Sequence, residues 1–231
     1  MYKKYVLFLL IFVLSGCSSL PLNQSRVVID WTDFVKWNGT NYMSDWTTVV
    51  TSPDILGEEV GEISFKVADV VQDPGYRTKD GDAAFLDIGT KLFRVEGYQE
   101  NEMLAAQDPN SLGGYRLYKA EGIQGPDPLN FNALSKENIQ KVELYLGQDK
   151  KPYKTLKGKE LKTFITMLEE GTDSPGYSPN TRSGYPTYYQ MVFDTGEAFG
   201  YNQSLDDDGV NVFYYPSELR IVDSGIRELL Q

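Results

Sequence analysis

The chain contains 231 residues, with 22 Lys and Arg, 33 Asp and Glu, no His and a single Cys. Its 41% hydrophobic and 13% aromatic residues are typical of a globular protein rather than a disordered one. Without His and with one Cys, it has no Ser-His-Asp triad, no imidazole metal site, no Cys-His nucleophile pair and no zinc cluster. A net charge of −11 repels nucleic acid, so we expect no binding to DNA or RNA.

The N-terminal segment has the pattern of an export signal. Lys3 and Lys4 precede an uninterrupted apolar run, Tyr5–Leu14, which has the length of a signal-peptide core. It is shorter than the roughly 20 residues that a membrane-spanning helix needs. The following Leu14-Ser15-Gly16-Cys17 resembles the lipobox of bacterial lipoproteins. This resemblance implies cleavage after residue 16 and attachment of diacylglycerol to the thiol of Cys17.

The lipobox resemblance implies a location. We expect residues 1–16 to be the signal peptide and residues 17–25 to be the lipidated Cys and a polar tether. Two acyl chains suffice for stable attachment, so the protein is expected at the cell membrane, anchored on its extracytoplasmic face. If the bacterium has an outer membrane, Ser18 resembles the pattern for sorting to it. Apart from the covalent diacylglycerol on Cys17, we expect no cofactor.

The first part of the mature chain has the patterns of short strands. Asn38-Gly39, between Phe34–Trp37 and Tyr42–Met43, predicts a type I′ hairpin, because both central residues must adopt positive φ. Further strands are predicted by alternation or by β-forming residues in Glu62–Val71, Lys91–Glu96 and Tyr115–Ala120. The strands predict a small antiparallel β domain over residues 26–122.

Part of this region resembles an N-terminal module of uncharacterised lipoproteins from Gram-positive bacteria. The similarity is carried by Trp37-Asn38-Gly39 with Tyr42, by Val60-Gly61-Glu62-Ile63 and by Gly89–Tyr98. It covers roughly residues 30–120. The resemblance implies an envelope location and carries over no activity or catalytic residue.

A second domain is predicted for residues 133–231, after the Pro- and Gly-rich segment Gly122–Asn132. Lys159–Glu170 predicts a helix, since its apolar residues recur at i, i+3, i+4 and i+7. The strands predicted around it are Val142–Leu146, Tyr188–Phe193, Ala198–Tyr201 and Val210–Tyr214. A short helix, Asp223–Leu230, is predicted at the end of the chain. The order predicts an α+β fold, with one main helix on an antiparallel sheet.

Asp206, Asp207 and Asp208, followed by Gly209, form a candidate metal site. Clustered carboxylates are the ligands that Ca²⁺ prefers. An EF-hand loop would, however, need Glu at the position of Tyr215. A hairpin turn with solvated charges is the favoured interpretation, because Asp and Gly tolerate turn conformations.

The loop Thr172–Pro186 is a candidate ligand-binding region, because it is longer than most connections and contains Tyr and Arg. Tyrosine combines a flat apolar face with a hydroxyl group, which suits sugar rings or peptides. The alternative is that the strand tyrosines only pack within the sheet. The candidate ligand-binding residues are Tyr177, Arg182, Tyr185, Tyr188 and Tyr189.

These features favour a membrane-anchored binding protein of the cell envelope, whose partner is another envelope protein or a wall glycan. The alternative is a carboxylate-dependent hydrolase of envelope glycans, for which the sequence selects no catalytic residue. A third hypothesis is structural: the first domain holds the second away from the membrane.

Overall fold

The structure is a computed structural model that describes residues 29–123, 131–182, 184–215 and 219–231. The predicted signal peptide, Cys17 and the tether lie outside the described residues, as does most of the predicted linker. One compact unit comprises Trp31–Val70 and Arg77–Gln231 and contains every strand described below. A separate unit includes Val71–Tyr76, where the N–H of Tyr76 donates to the carbonyl of Asp73 at 3.0 Å.

Sixteen strands and two α-helices make up the regular structure of the described residues. The strands up to residue 120 are β1 (Phe34–Trp37), β2 (Thr40–Asp45), β3 (Thr48–Val50), β4 (Leu56–Glu62), β5 (Phe65–Lys66), β6 (Asp82–Ala83), β7 (Lys91–Val95), β8 (Met103–Gln107) and β9 (Tyr115–Ala120). The later strands are β10 (Lys141–Leu146), β11 (Lys154–Leu156), β12 (Thr172–Asp173), β13 (Thr187–Asp194), β14 (Phe199–Asp207), β15 (Val212–Tyr214) and β16 (Arg220–Val222). The helices are α1 (Val67–Val70) and α2 (Gly158–Glu169).

The first sheet has eight strands in the order β4-β7-β8-β9-β2-β1-β6-β5. Its pairs are antiparallel except for β5 with β6. The predicted hairpin is confirmed, since Asn38 and Gly39 have φ values of 44° and 77° between β1 and β2. Four consecutive side chains of β8, Met103–Ala106, are buried, so both faces of this strand are covered.

The second sheet also has eight strands, with the path β11-β10-β13-β14-β15-β16-β12 and β3 added beside β14. Helix α2 packs on one face through Leu161, Phe164, Ile165 and Leu168, which confirms the predicted helix and its apolar stripe. The opposite face, here called the outer face, carries the alternate residues of each strand. Along β13 these are Tyr188, Gln190 and Val192.

The two sheets share residues at a seam. β3 follows β2 of the first sheet and pairs with β14 of the second, with Val50 opposite Phe199. Val49 and Leu112 pack on Tyr145 and Val192 of the outer face. Gly113 permits this approach, because a Cβ at its position would lie 2.2 Å from the carbonyl oxygen of Val50.

The predicted α+β fold class is wrong. The described residues form two eight-stranded sheets and only two α-helices, of which one has more than six residues, so the fold is mostly β. The predicted terminal helix is a 3₁₀ helix over Ser224–Glu228. Strands of two or three residues, such as β5, β6 and β12, are too short to show a period of two. The sequence therefore shows the one long helix more clearly than the strands.

Candidate functional site

The three consecutive aspartates do not converge, because Asp206 and Asp207 belong to β14 and alternate between its faces. Asp207 lies on the α2 side and forms two hydrogen bonds with the guanidinium of Arg227, at 2.7 and 2.8 Å. The predicted turn therefore begins only after Asp207, the last residue of β14. Within the ranges that the structure describes, no group of three or more His, Cys, Asp or Glu residues is placed to hold a metal ion.

Asp208 is a structural carboxylate that joins the long loop to the strand turn. It accepts the hydroxyl of Tyr177 at 2.5 Å and the backbone N–H of Asn180 at 2.7 Å. Its other oxygen accepts the N–H groups of Val210 and Asn211. Burial alone would raise the pKa of Asp208, but these hydrogen bonds to the charged form outweigh it and hold the pKa at about 2.

Asp206, only two residues away, has a different environment. It lies on the outer face, half-buried, with Tyr188 opposite it on β13 and Phe213 opposite it on β15. Burial raises the pKa of Asp206, and in the described part of the chain no charge or hydrogen bond opposes that rise. A carboxylate that is partly removed from water and has no hydrogen-bond donor in the protein can accept a hydrogen bond from a ligand.

The candidate tyrosines divide between the two faces. Tyr188 is 39% exposed beside Asp206, and Tyr177 covers Phe213 with its ring centroid 5.6 Å away. Tyr185 and Arg182 are exposed in the loop, Tyr185 to 97%. Tyr189 lies on the opposite face, where it packs against the core beside Tyr153. The structure therefore brings Tyr177 and Tyr188 to the same face as Asp206 and places Tyr189 elsewhere.

A cleft of about 90 Å³ at the seam was missed by sequence reasoning. Both halves of the chain line it, with Trp46 in the turn between β2 and β3, Arg116 on β9 and Asn202 on β14. The guanidinium carbon of Arg116 lies 4.1 Å from the ring centroid of Trp46, which is nevertheless 59% exposed. Trp46, an aromatic residue in a tight turn between strands, could have been noticed in the sequence as a candidate binding residue. The cleft could not, because it depends on the pairing of β3 with β14, which are distant in the chain.

A buried charge cluster supports this cleft. Arg116 forms ion pairs with Asp33 at 2.8 Å and with Asp108 at 2.6 Å. The hydroxyl of Tyr118 also donates to Asp33, at 3.0 Å. Beside this cluster Lys119 pairs with Asp45 at 3.0 Å. Since each buried carboxylate has a cationic partner, the cluster holds the guanidinium under Trp46.

The comparisons with known proteins found no relationship for this chain. No family model, no curated protein and no solved structure matches it. In the described residues, no helix has both the length and the apolar character to cross a membrane. Evidence about function therefore comes from the site itself and from the signal-like N-terminal segment.

Proposed function

We propose that the protein is a lipid-anchored, extracytoplasmic binding protein of the cell envelope and that its ligand is a glycan. The lipobox-like segment ending at Cys17 supports the anchor and the location. The outer face of the second sheet supports the ligand class. Of the two partners that the sequence left open, the glycan fits this face better than a protein does.

The observation that carries the proposal is the pairing of Asp206 with Tyr188. Sugar rings have apolar faces that stack on an exposed tyrosine, and their hydroxyl groups donate to carboxylates. Asp206 is half-buried without a donor, and Tyr188 lies directly opposite it with its ring partly exposed. A sugar lying on Tyr188 would bring hydroxyl groups to this carboxylate and supply the missing hydrogen bonds.

The ligand class is tested by calorimetric titration of the full-length chain, solubilised in detergent, with soluble wall-glycan fragments. We expect Asp206→Asn to weaken binding about tenfold or more, since a hydrogen bond to a charged group contributes about 1.5–3 kcal/mol. Tyr188→Ala should also weaken binding, because it removes the ring on which the sugar stacks. Tyr188→Phe should keep most of the stacking. The controls, Asp54→Asn and Phe85→Ala, change an exposed carboxylate and an exposed ring outside this face.

Binding that is unchanged in both Asp206→Asn and Tyr188→Ala would refute this surface. Product analysis of the same mixtures separates binding from hydrolysis. Glycan cleavage that disappears in Asp206→Asn would support the carboxylate-dependent hydrolase instead.

The anchor is tested separately by Cys17→Ala. After growth with a labelled fatty acid, we expect the wild-type protein to lie in the membrane fraction and to carry the label. The variant should carry no label. A variant that still carries labelled lipid would refute lipidation at Cys17.

A further inference from the structure

The seam cleft lies on the same face as the proposed sugar site. Gln190, two residues after Tyr188 on β13, and Asn202, four residues before Asp206 on β14, both line the cleft. Four residues of strand span about 13 Å, which is longer than one sugar ring. A ligand that contacts both Asp206 and Asn202 must therefore be longer than one sugar ring, as a linear oligomer is.

Trp46 offers a second stacking platform at the mouth of the cleft. One face of its ring is covered by the guanidinium of Arg116, 4.1 Å from the centroid. Because the side chain is still 59% exposed, the opposite face is open to a ligand. Arg116 is itself held by Asp33 and Asp108, so the platform is fixed before a ligand arrives.

The interior of the cleft selects the group that enters it. The Oδ1 atom of Asn202 is buried and has no hydrogen-bond donor among the described residues. Val49 and Leu112, which also line the cleft, are buried apolar side chains. The cleft volume of about 90 Å³ is small, so a substituent suits the interior better than a whole sugar ring does. A small group with one N–H donor and one methyl fits these three conditions, and an acetamido group has both.

The charges of the cleft favour a neutral ligand. The carboxylates of Asp33 and Asp108 are neutralised in part by Arg116, and that of Asp45 by Lys119. Lys150, exposed at the rim, adds one further positive charge and balances the three carboxylates. On a chain with a net charge of −11, a locally neutral cleft has no excess of cations to hold a polyanion.

We propose that the ligand is a linear N-acetylated oligosaccharide, one ring of which stacks on Trp46 with its acetamido group in the seam cleft. The acetamido N–H donates to Oδ1 of Asn202 and its methyl contacts Val49 and Leu112. Another ring of the same oligomer lies over Tyr188 and Asp206. This inference rests on the proposed function and adds the substituent that the protein recognises.

The test compares two neutral oligomers of equal length, an N-acetylglucosamine tetramer and a glucose tetramer, titrated calorimetrically into the full-length chain. The N-acetylated oligomer should bind at least tenfold more tightly. Asn202→Leu, which fills the cleft, and Trp46→Ala should abolish this preference, whereas Trp46→Phe should retain part of it. Asn202→Ala replaces Asn202→Leu if the larger side chain prevents folding, and circular dichroism checks each variant.

The variants separate failure of this inference from failure of the proposed function. Equal binding of both oligomers that depends on Tyr188 and Asp206 but not on Trp46 would overturn the cleft and leave the glycan surface standing. A preference that depends on Trp46 and Asn202 but not on Tyr188 or Asp206 would support the cleft and overturn that surface. No binding of either oligomer would overturn the cleft inference, and the titration with wall-glycan fragments would then decide the glycan surface by itself.

Discussion

Two regions of the molecule differ in whether their buried or half-buried carboxylates have a cationic partner. At the seam, Asp33 and Asp108 each pair with Arg116, and Asp45 pairs with Lys119. On the outer face of the second sheet, Asp206 is half-buried and its pKa is raised by that burial alone. Paired charges hold distant segments together, whereas an unpaired carboxylate weakens the fold slightly and is available to a ligand.

The largest effect should follow from breaking the paired region. Arg116→Met leaves Asp33 and Asp108 buried without their cation and should lower the free energy of unfolding by about 3–5 kcal/mol. Denaturant titration measures the change. In the control Arg94→Met, whose partner Glu58 is exposed, the loss should be about 1 kcal/mol or less. Equal losses in the two variants would contradict a structural role for the Arg116 cluster.

Gly113→Ala tests the close approach at the seam. A Cβ at this position meets the carbonyl of Val50, and φ is +74°, so the loss should be at least about 2 kcal/mol. Gly114 is a matched control, because its φ is +78° and nothing lies within 4 Å of its Cβ position. Gly114→Ala should cost only the backbone penalty of about 1–2 kcal/mol. The difference in stability between the two variants, measured by thermal unfolding, gives the cost of the contact between the added Cβ and the carbonyl of Val50.

Asp208→Asn should have an intermediate effect. It replaces hydrogen bonds to a charged acceptor, including those from Tyr177 and Asn180, with weaker neutral ones. A loss of about 1–2 kcal/mol is expected, with increased proteolysis in the loop that follows Thr172. Limited proteolysis of the two proteins under native conditions tests the second effect, and an unchanged cleavage rate would show that Asp208 does not hold the loop.

The loss of stability at acid pH should also depend on Asp208. Because the folded pKa of Asp208 is about 2, lower than its ordinary value, its stabilising contribution is present above about pH 4. It is lost as the pH falls from about 4 to 2. Asp208→Asn should therefore lose less stability over this range than the wild-type protein. Parallel acid-unfolding slopes would contradict the lowered pKa.

The smallest effect, with the opposite sign, is expected at Asp206. Its raised pKa means that ionisation is penalised in the folded state, so Asp206→Asn should stabilise the fold at neutral pH by about 0.5 kcal/mol or less. The gain should vanish well below pH 4, where the carboxylate is protonated in both states. A loss at pH 7 would show that Asp206 has a stabilising partner.

Local features of the fold were readable in the sequence. The Asn38-Gly39 hairpin follows from the need for two positive φ values, and helix α2 follows from one apolar stripe. Tyr188 was a candidate in the sequence because an aromatic residue near a long loop is a local signal, and its role in binding stays a prediction. Each of these features depends on residues close together in the chain, which is why periodicity and turn chemistry detect them.

The tertiary structure decided the rest. The pairing of β3 with β14 joins residues about 150 positions apart, and no local period records such a partner. The same pairing creates the seam and places Trp46 and Arg116 beside Asn202. The three aspartates look alike in sequence. Strand alternation gives Asp207 an arginine and leaves Asp206 beside Tyr188, whereas Asp208 follows the strand and accepts four donors from the turn and the long loop. Which side chain is free to bind therefore depends on the long-range contacts that satisfy its neighbours.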